Sequence, residues 1–324
     1  MLLWATRLRY LSVALGRIIF NKDMVNTLDY IWQDYRCTYS VSGVENAKTT
    51  PLVLIHPIGV GLSRTFWQRF TDEWLKQNPD SLIYNPDLLG CGEGDMPAIA
   101  YYPIDWAKQL QYFIDTIVKQ PVVIVVQGAS LPIAIELIKL MPSEQIEKLV
   151  LSAPPAWRTI TDAAKPKQQK LLWNLLFNSP IGLGNLFYRY ARRRQFIESF
   201  SIRQLFAEPQ AVDNEWLNEL TTGAEDLNSR YAVFSFLAGF WRQNYADAIA
   251  QIEQPTLVVF GKQSSSISRE GKSETVPERL AAYTSHLPKG KGSIISGRNV
   301  LPYESTVEFA KIVADFIKGL TVEY

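Results

Sequence analysis

The sequence predicts an α/β protein with a mostly parallel sheet of about seven to eight strands, helices on both faces and one helical insertion. Three observations carry this expectation. Short apolar, β-branched runs recur as CTYSV, PLVLIH, SLIYNPD, VVIVVQ, KLVLSAP, TLVVFG and GSIIS. Segments with helical periodicity, such as WAKQLQYFIDTIVK and PIAIELIKLM, lie between most of them. Between Pro154 and Pro255 the strand pattern stops and only helical stretches follow. Continuous apolar strands flanked by helices are buried on both faces, which is the setting of a parallel sheet.

At the N-terminus, MLLWATRLRYLSVALGRIIF is apolar but interrupted by Arg7, Arg9 and Arg17, so no uncharged run approaches the roughly 20 residues a membrane span needs. No transmembrane span is expected, and no small-x-small cleavage site marks a signal peptide. Leu2, Leu3, Leu8, Leu11, Leu15 and Ile18 share a helical face. The segment 1–35 is therefore read as amphipathic and helical, with residues 1–20 either docked on the protein's own core or in peripheral contact with a membrane. Residues 36–154 and 254–324 form the expected core, and residues 155–253 a helical cap. With 324 residues, 47% hydrophobic, the chain is long enough to bury such a core.

Charge and composition exclude several functions. Thirty-three basic against thirty-two acidic residues leave a net charge of +1, so no nucleic-acid partner is expected. Cys37 and Cys91 lack metal or redox spacing and point to a reducing, cytoplasmic setting. His56 and His286 are the only histidines, so neither a metal site nor a cofactor site is expected. The basic run YARRRQF reads as a solvated helix face rather than an anion site.

The ordered stretches LVLIHPIG, YNPDLLGCGEGDMP, VVQGASLPIAIEL, KLVLSAPP, PTLVVFGKQSSS and SGRNVLPYESTVEFAKIVADFI resemble the α/β-hydrolase superfamily. HPIGVGLS, LLGCGEGDMP and SGRNVLPYE are also similar to α/β-hydrolase-like proteins of cyanobacteria. The resemblance implies a nucleophile elbow at Gly128-Ala129-Ser130-Leu131-Pro132, with Ser130 as candidate nucleophile and the Leu131 N–H as oxyanion donor. A second donor would come from the oxyanion loop at Ile58. Proline at position 132 replaces the family's second glycine and is tolerated in a first helical turn.

The remaining triad positions depart from the family. Its acid position falls on Ser264 and its histidine position on Val300, so the resemblance implies a degenerate triad. Valine cannot accept a proton, and a serine without a base is a poor nucleophile. His56 is the one histidine placed to substitute, although a loop-shaping hydrogen bond is its commoner role. His286 is expected near the amino edge of the sheet, on the surface. Asp87 and Asp95 are read as structural members of the loop after the third run. Leu131, Trp157 and Val300 are candidate pocket-lining residues, with Phe177, Phe187, Tyr190, Phe234, Phe236 and Phe240 of the cap. Two readings follow: a non-catalytic protein that binds an apolar small molecule or a protein partner through a capped pocket, or a serine hydrolase of carboxylic esters or thioesters using Ser130 with an unconventional base.

Overall fold

The computed structural model describes residues 27–178 and 182–320, and the expected N-terminal helix at residues 1–20 lies outside them. Eight strands form one sheet: β1 (Leu28–Trp32), β2 (Tyr35–Gly43), β3 (Leu52–Ile55), β4 (Leu82–Pro86), β5 (Val122–Gln127), β6 (Ile146–Ser152), β7 (Thr256–Gly261) and β8 (Gly290–Ile295). Their order is β1-β2-β4-β3-β5-β6-β7-β8. Strands β3 to β8 run parallel, and β2 pairs antiparallel with both β1 and β4. The sheet thus begins at Leu28, inside the segment read as helical. Tyr30 and Trp32 turn inward while Leu28, Asp29 and Ile31 face out, and a tight turn at Gln33 and Asp34, both with positive φ, leads into β2.

Alternation along the central strands splits the core into two layers. Val122, Ile124 and Val126 enter one layer with Trp106, Phe113 and Leu137. Val123 and Val125 enter the other with Trp67, Phe70 and Phe309. Burying each of these side chains stabilises the fold by about 1.5–3 kcal/mol, so a charge at Val125 would break both strand and layer.

The helices are α1 (Gln68–Gln77), α2 (Pro103–Phe113), α3 (Leu131–Leu140), α4 (Trp157–Thr161), α5 (Pro166–Leu176), α6 (Leu183–Ala191), α7 (Arg194–Phe200), α8 (Asn214–Gly223), α9 (Arg230–Leu237), α10 (Ala246–Ala250), α11 (Val276–His286), α12 (Leu301–Glu304) and α13 (Thr306–Ile317). Local chemistry fixes their starts. Pro103 opens α2, where the Asp105 carboxylate accepts the Tyr102 N–H at 3.1 Å. Asp213 caps α8 by accepting the Trp216 N–H at 2.9 Å. Among the described residues only helices lie between β6 and β7. No described helix is long and apolar enough to cross a membrane.

Candidate functional site

The strand order reverses direction at β3. The chain passes from β3 outward to β4, then returns to β5 on the other side of β3. Ligand sites of open α/β sheets form at the carboxyl ends beside such a reversal. Two segments meet there, His56-Pro57-Ile58 after β3 and Gly128-Ala129-Ser130 after β5. The Ser130 hydroxyl donates to the His56 carbonyl oxygen at 2.8 Å and joins them.

This geometry corrects the expected elbow. The left-handed corner after β5 is Gly128, with φ 57°, and a Cβ placed on it would meet nothing closer than the Ala153 carbonyl oxygen at 3.9 Å. Ser130 lies two residues later in ordinary helical conformation (φ −81°, ψ −2°) and is fully buried. A nucleophile at an elbow stands on the strained turn with its oxygen exposed; Ser130 does neither. The Leu131 N–H is also not free, because it donates to the Gly128 carbonyl. The run VVIVVQ carried the signal for this: β5 ends at Gln127, so the residue entering the turn is Gly128.

His56 is equally committed. The Leu88 N–H donates to its Nε2 at 3.0 Å, so the proton sits on Nδ1, which donates to the Pro57 carbonyl at 2.8 Å. Burial holds the imidazole below its ordinary pKa, consistent with a neutral ring. Both nitrogens are occupied, and only the backbone carbonyl of His56 reaches Ser130. His56 is therefore not placed as a base. His286 is exposed at the end of α11, packs tilted against Trp157 with ring centroids 4.3 Å apart and bonds the Ala282 carbonyl at 2.7 Å through Nδ1.

The two positions expected for the acid and the histidine, Ser264 and Val300, make other contacts. Ser264 closes the turn after β7, accepting the Gly261 N–H at 2.9 Å and donating to the Arg298 carbonyl. Val300 is buried in the layer with Ile295 and Phe309. The late loop extends two polar side chains toward the β7 loop: Arg298 donates to Ser265 Oγ through Nε at 3.0 Å and Nη2 at 2.7 Å, and Asn299 accepts the Ser265 N–H on Oδ1 at 3.3 Å and donates to the Ser265 carbonyl through Nδ2 at 3.0 Å. Gln127 ties this loop to the elbow by donating to the Asn299 carbonyl at 2.7 Å. Spacing alone had favoured Val300 over its neighbour.

Asp87 and Asp95 hold the wall. Asp87 is buried, pairs with Arg64 and accepts Thr38 Oγ1 at 2.7 Å. Asp95 accepts the Arg36 N–H at 2.8 Å. The Ile58 side chain is buried, and its N–H carries no hydrogen bond among the described residues.

The helices between β6 and β7 close directly onto these loops. A Cβ on Gly61, after the His56 segment, would lie 1.9 Å from the Leu220 carbonyl of α8. Asn299 donates to the carbonyls of Leu205 and Gln204, and the Glu304 carboxylate accepts the Ala207 N–H at 2.6 Å. Among the expected lining residues, Leu131 and Phe234 are core, whereas Phe187 and Tyr190 face outward. A cavity of about 140 Å³ lies instead beside the β1–β2 turn, lined by Trp32, Tyr35, Leu89, Tyr101 and Trp106 among others.

Comparison with known proteins agrees with this architecture. A sequence model described as the alpha/beta hydrolase family matches residues 52–312. No curated protein matches the chain in sequence. Similar solved structures include a thermophilic esterase from Thermogutta terrifontis (15% identity, 91% of this chain and 98% of that one, TM-score 0.66). A serine hydrolase involved in carbazole degradation is also similar (18%, 90% and 99%, 0.66), as is Cfl2 from Burkholderia cenocepacia (18%, 90% and 95%, 0.69). At these identities the likeness is one of fold, while the sequence match spans most of the chain. The chain belongs to the alpha/beta hydrolase family.

Proposed function

We propose that the chain is a non-catalytic member of the family, which binds an apolar small molecule or a protein partner at the Gly128 corner beneath the helices between β6 and β7 and does not turn over an ester. The observation that carries this reading is the left-handed corner at Gly128, where a nucleophile would stand and no side chain exists. Acyl transfer also needs a base to take the nucleophile's proton and an acid to orient that base. In this reading Gly128, Ser264 and Asn299 occupy the three places. None of them supplies a carboxylate or an imidazole.

Ser130 then has a structural role, holding the β3 and β5 loops together through the His56 carbonyl. Hydrolysis through Ser130 would require its buried proton to leave that carbonyl with no side-chain base in contact. What the site retains is recognition: Gly128 and Ala129 are partly accessible, and the space above Gly128 is open to a ligand atom. Assays with short- and long-chain p-nitrophenyl esters, on the native chain and on Ser130→Ala, test this. The two proteins should give the same background rate, and turnover abolished by Ser130→Ala would defeat the proposal.

A further inference from the structure

We infer that the outward face of the cap hairpin formed by α5 and α6 docks on an anionic lipid surface. The two helices are held together closely, since a Cβ on Gly184 of α6 would lie 1.9 Å from the Leu176 carbonyl of α5. Both rest on α9. Trp173 and Leu176 of α5 and Tyr188 of α6 pack with Val233 and Phe234 in one small cluster. The faces turned away from α9 therefore share a side of the molecule, and they are apolar. Leu171 is 67% exposed, Leu186 62% and Tyr190 54%, with Leu172, Leu175 and Phe187 also exposed. No residue of α5 is buried. An exposed apolar surface of this kind marks an interaction site.

Charge selects the partner. Residues 163–197 hold seven Lys or Arg and no Asp or Glu, a charge of +7 within a chain of net +1. Helical spacing places Lys167 one turn before Leu171 and Arg189 three residues after Leu186, and past the end of α6 the Arg193 guanidinium lies 5.7 Å from the Tyr190 ring centroid. None of the seven pairs with a carboxylate among the described residues, where the ion pairs involve Arg64, Arg69, Lys76, Lys139 and Arg242. Arg192 and Arg194 bond only to backbone carbonyls and asparagine side chains. Leucine and aromatic side chains on one face, flanked by unpaired cations on flexible stems, are the features of an interfacial helix pair, in which the stems extend the cations to the headgroups. A protein partner would have to supply an apolar and acidic face together, whereas an anionic bilayer presents both everywhere. This inference does not depend on whether the elbow is catalytic.

The test is co-sedimentation of the full chain with phosphatidylcholine vesicles, with and without phosphatidylglycerol, combined with hydrogen exchange by peptide. The chain should partition onto the anionic vesicles, weaken with added salt, and gain protection across residues 165–193. Lys167→Gln with Arg189→Gln should reduce partitioning about 30-fold, at roughly fivefold per charge. Leu171→Ser with Leu186→Ser should reduce it more than tenfold. All four side chains are exposed, so native folding is expected, and unfolding temperature checks it; the charge pair keeps the test decisive if the leucine pair fails to fold. Failure of the full chain to bind anionic vesicles would overturn the inference. Unchanged binding in both variants, with protection confined to residues 1–20, would do the same. So would a dimer that Leu171→Ser with Leu186→Ser dissolves while vesicles stay unbound, because the face would then belong to a second copy of the chain.

Discussion

Replacing Ser130 by alanine separates a structural serine from a nucleophile by stability alone. The Ser130 hydroxyl is fully buried and, among the described residues, its hydrogen bond goes to the His56 carbonyl at 2.8 Å. Alanine leaves that carbonyl without this donor between two loops that no water reaches from the Ser130 side. Loss of one partner from a buried hydrogen bond costs about 1–3 kcal/mol. For 324 residues, an unfolding entropy of about 2.1 cal/mol/K per residue converts this into a fall in Tm of about 1.5–4 °C. Urea unfolding followed by tryptophan fluorescence measures the difference, with the slope expected to stay constant. A nucleophile kept for function at some expense of stability behaves in the opposite way, since its removal tends to be neutral or stabilising. A Ser130→Ala chain as stable as the native one, or more so, would refute the structural assignment.

Three further expectations concern the surroundings. Combining Gly128→Ser, Ser264→Asp and Asn299→His should introduce ester hydrolysis and fluorophosphonate labelling at position 128, whereas Ser264→Asp with Val300→His should introduce neither; activity from the second pair alone would show that the register derived from the backbone is wrong. Because burial lowers the His56 pKa below 6.5, the unfolded chain binds the proton first as pH falls. Stability should therefore drop as the pH falls through 6.5, by up to about 1.4 kcal/mol per unit, and His56→Gln should flatten that slope; an unchanged slope in urea titrations would exclude His56 as its source. Gly61→Ala places a methyl 1.9 Å from the Leu220 carbonyl at φ 74°, so it should destabilise the chain by more than about 2 kcal/mol and speed hydrogen exchange in α8, and a variant of native stability would mean that the cap does not press on this loop.

The central strands were legible as β-branched runs because β3, β5 and β7 are buried along their whole length, so their sequences carry no polar alternation; β2 and β8 keep apolar runs although Arg36 and Lys291 are exposed. β1 was not legible. LDYIW is five residues long, half exposed at the sheet edge, and its turn uses Gln33 and Asp34 in left-handed conformations without a glycine to mark them. At the site, Gly128-Ala129-Ser130 satisfies a Gly-x-Ser pattern by its letters, yet the end of β5 at Gln127 makes Gly128 itself the corner. Strand length, not the motif, fixes which residue turns. Val300 and Asn299 differ by one position, and only their contacts, an apolar layer for one and the Ser265 backbone for the other, tell them apart. Between β6 and β7, helical spacing revealed amphipathic faces without saying which was inward. Phe187 and Tyr190 fit a pocket lining by spacing but face solvent.

The central claim is that no activated nucleophile exists at this elbow. It is tested most directly by exposing the unmodified full-length chain to a fluorophosphonate and measuring its intact mass over time, beside an active serine hydrolase under the same conditions. The account predicts that the mass of the chain stays unchanged after the reference enzyme is fully labelled. A single adduct on Ser130, formed at a rate comparable to the reference, would contradict it.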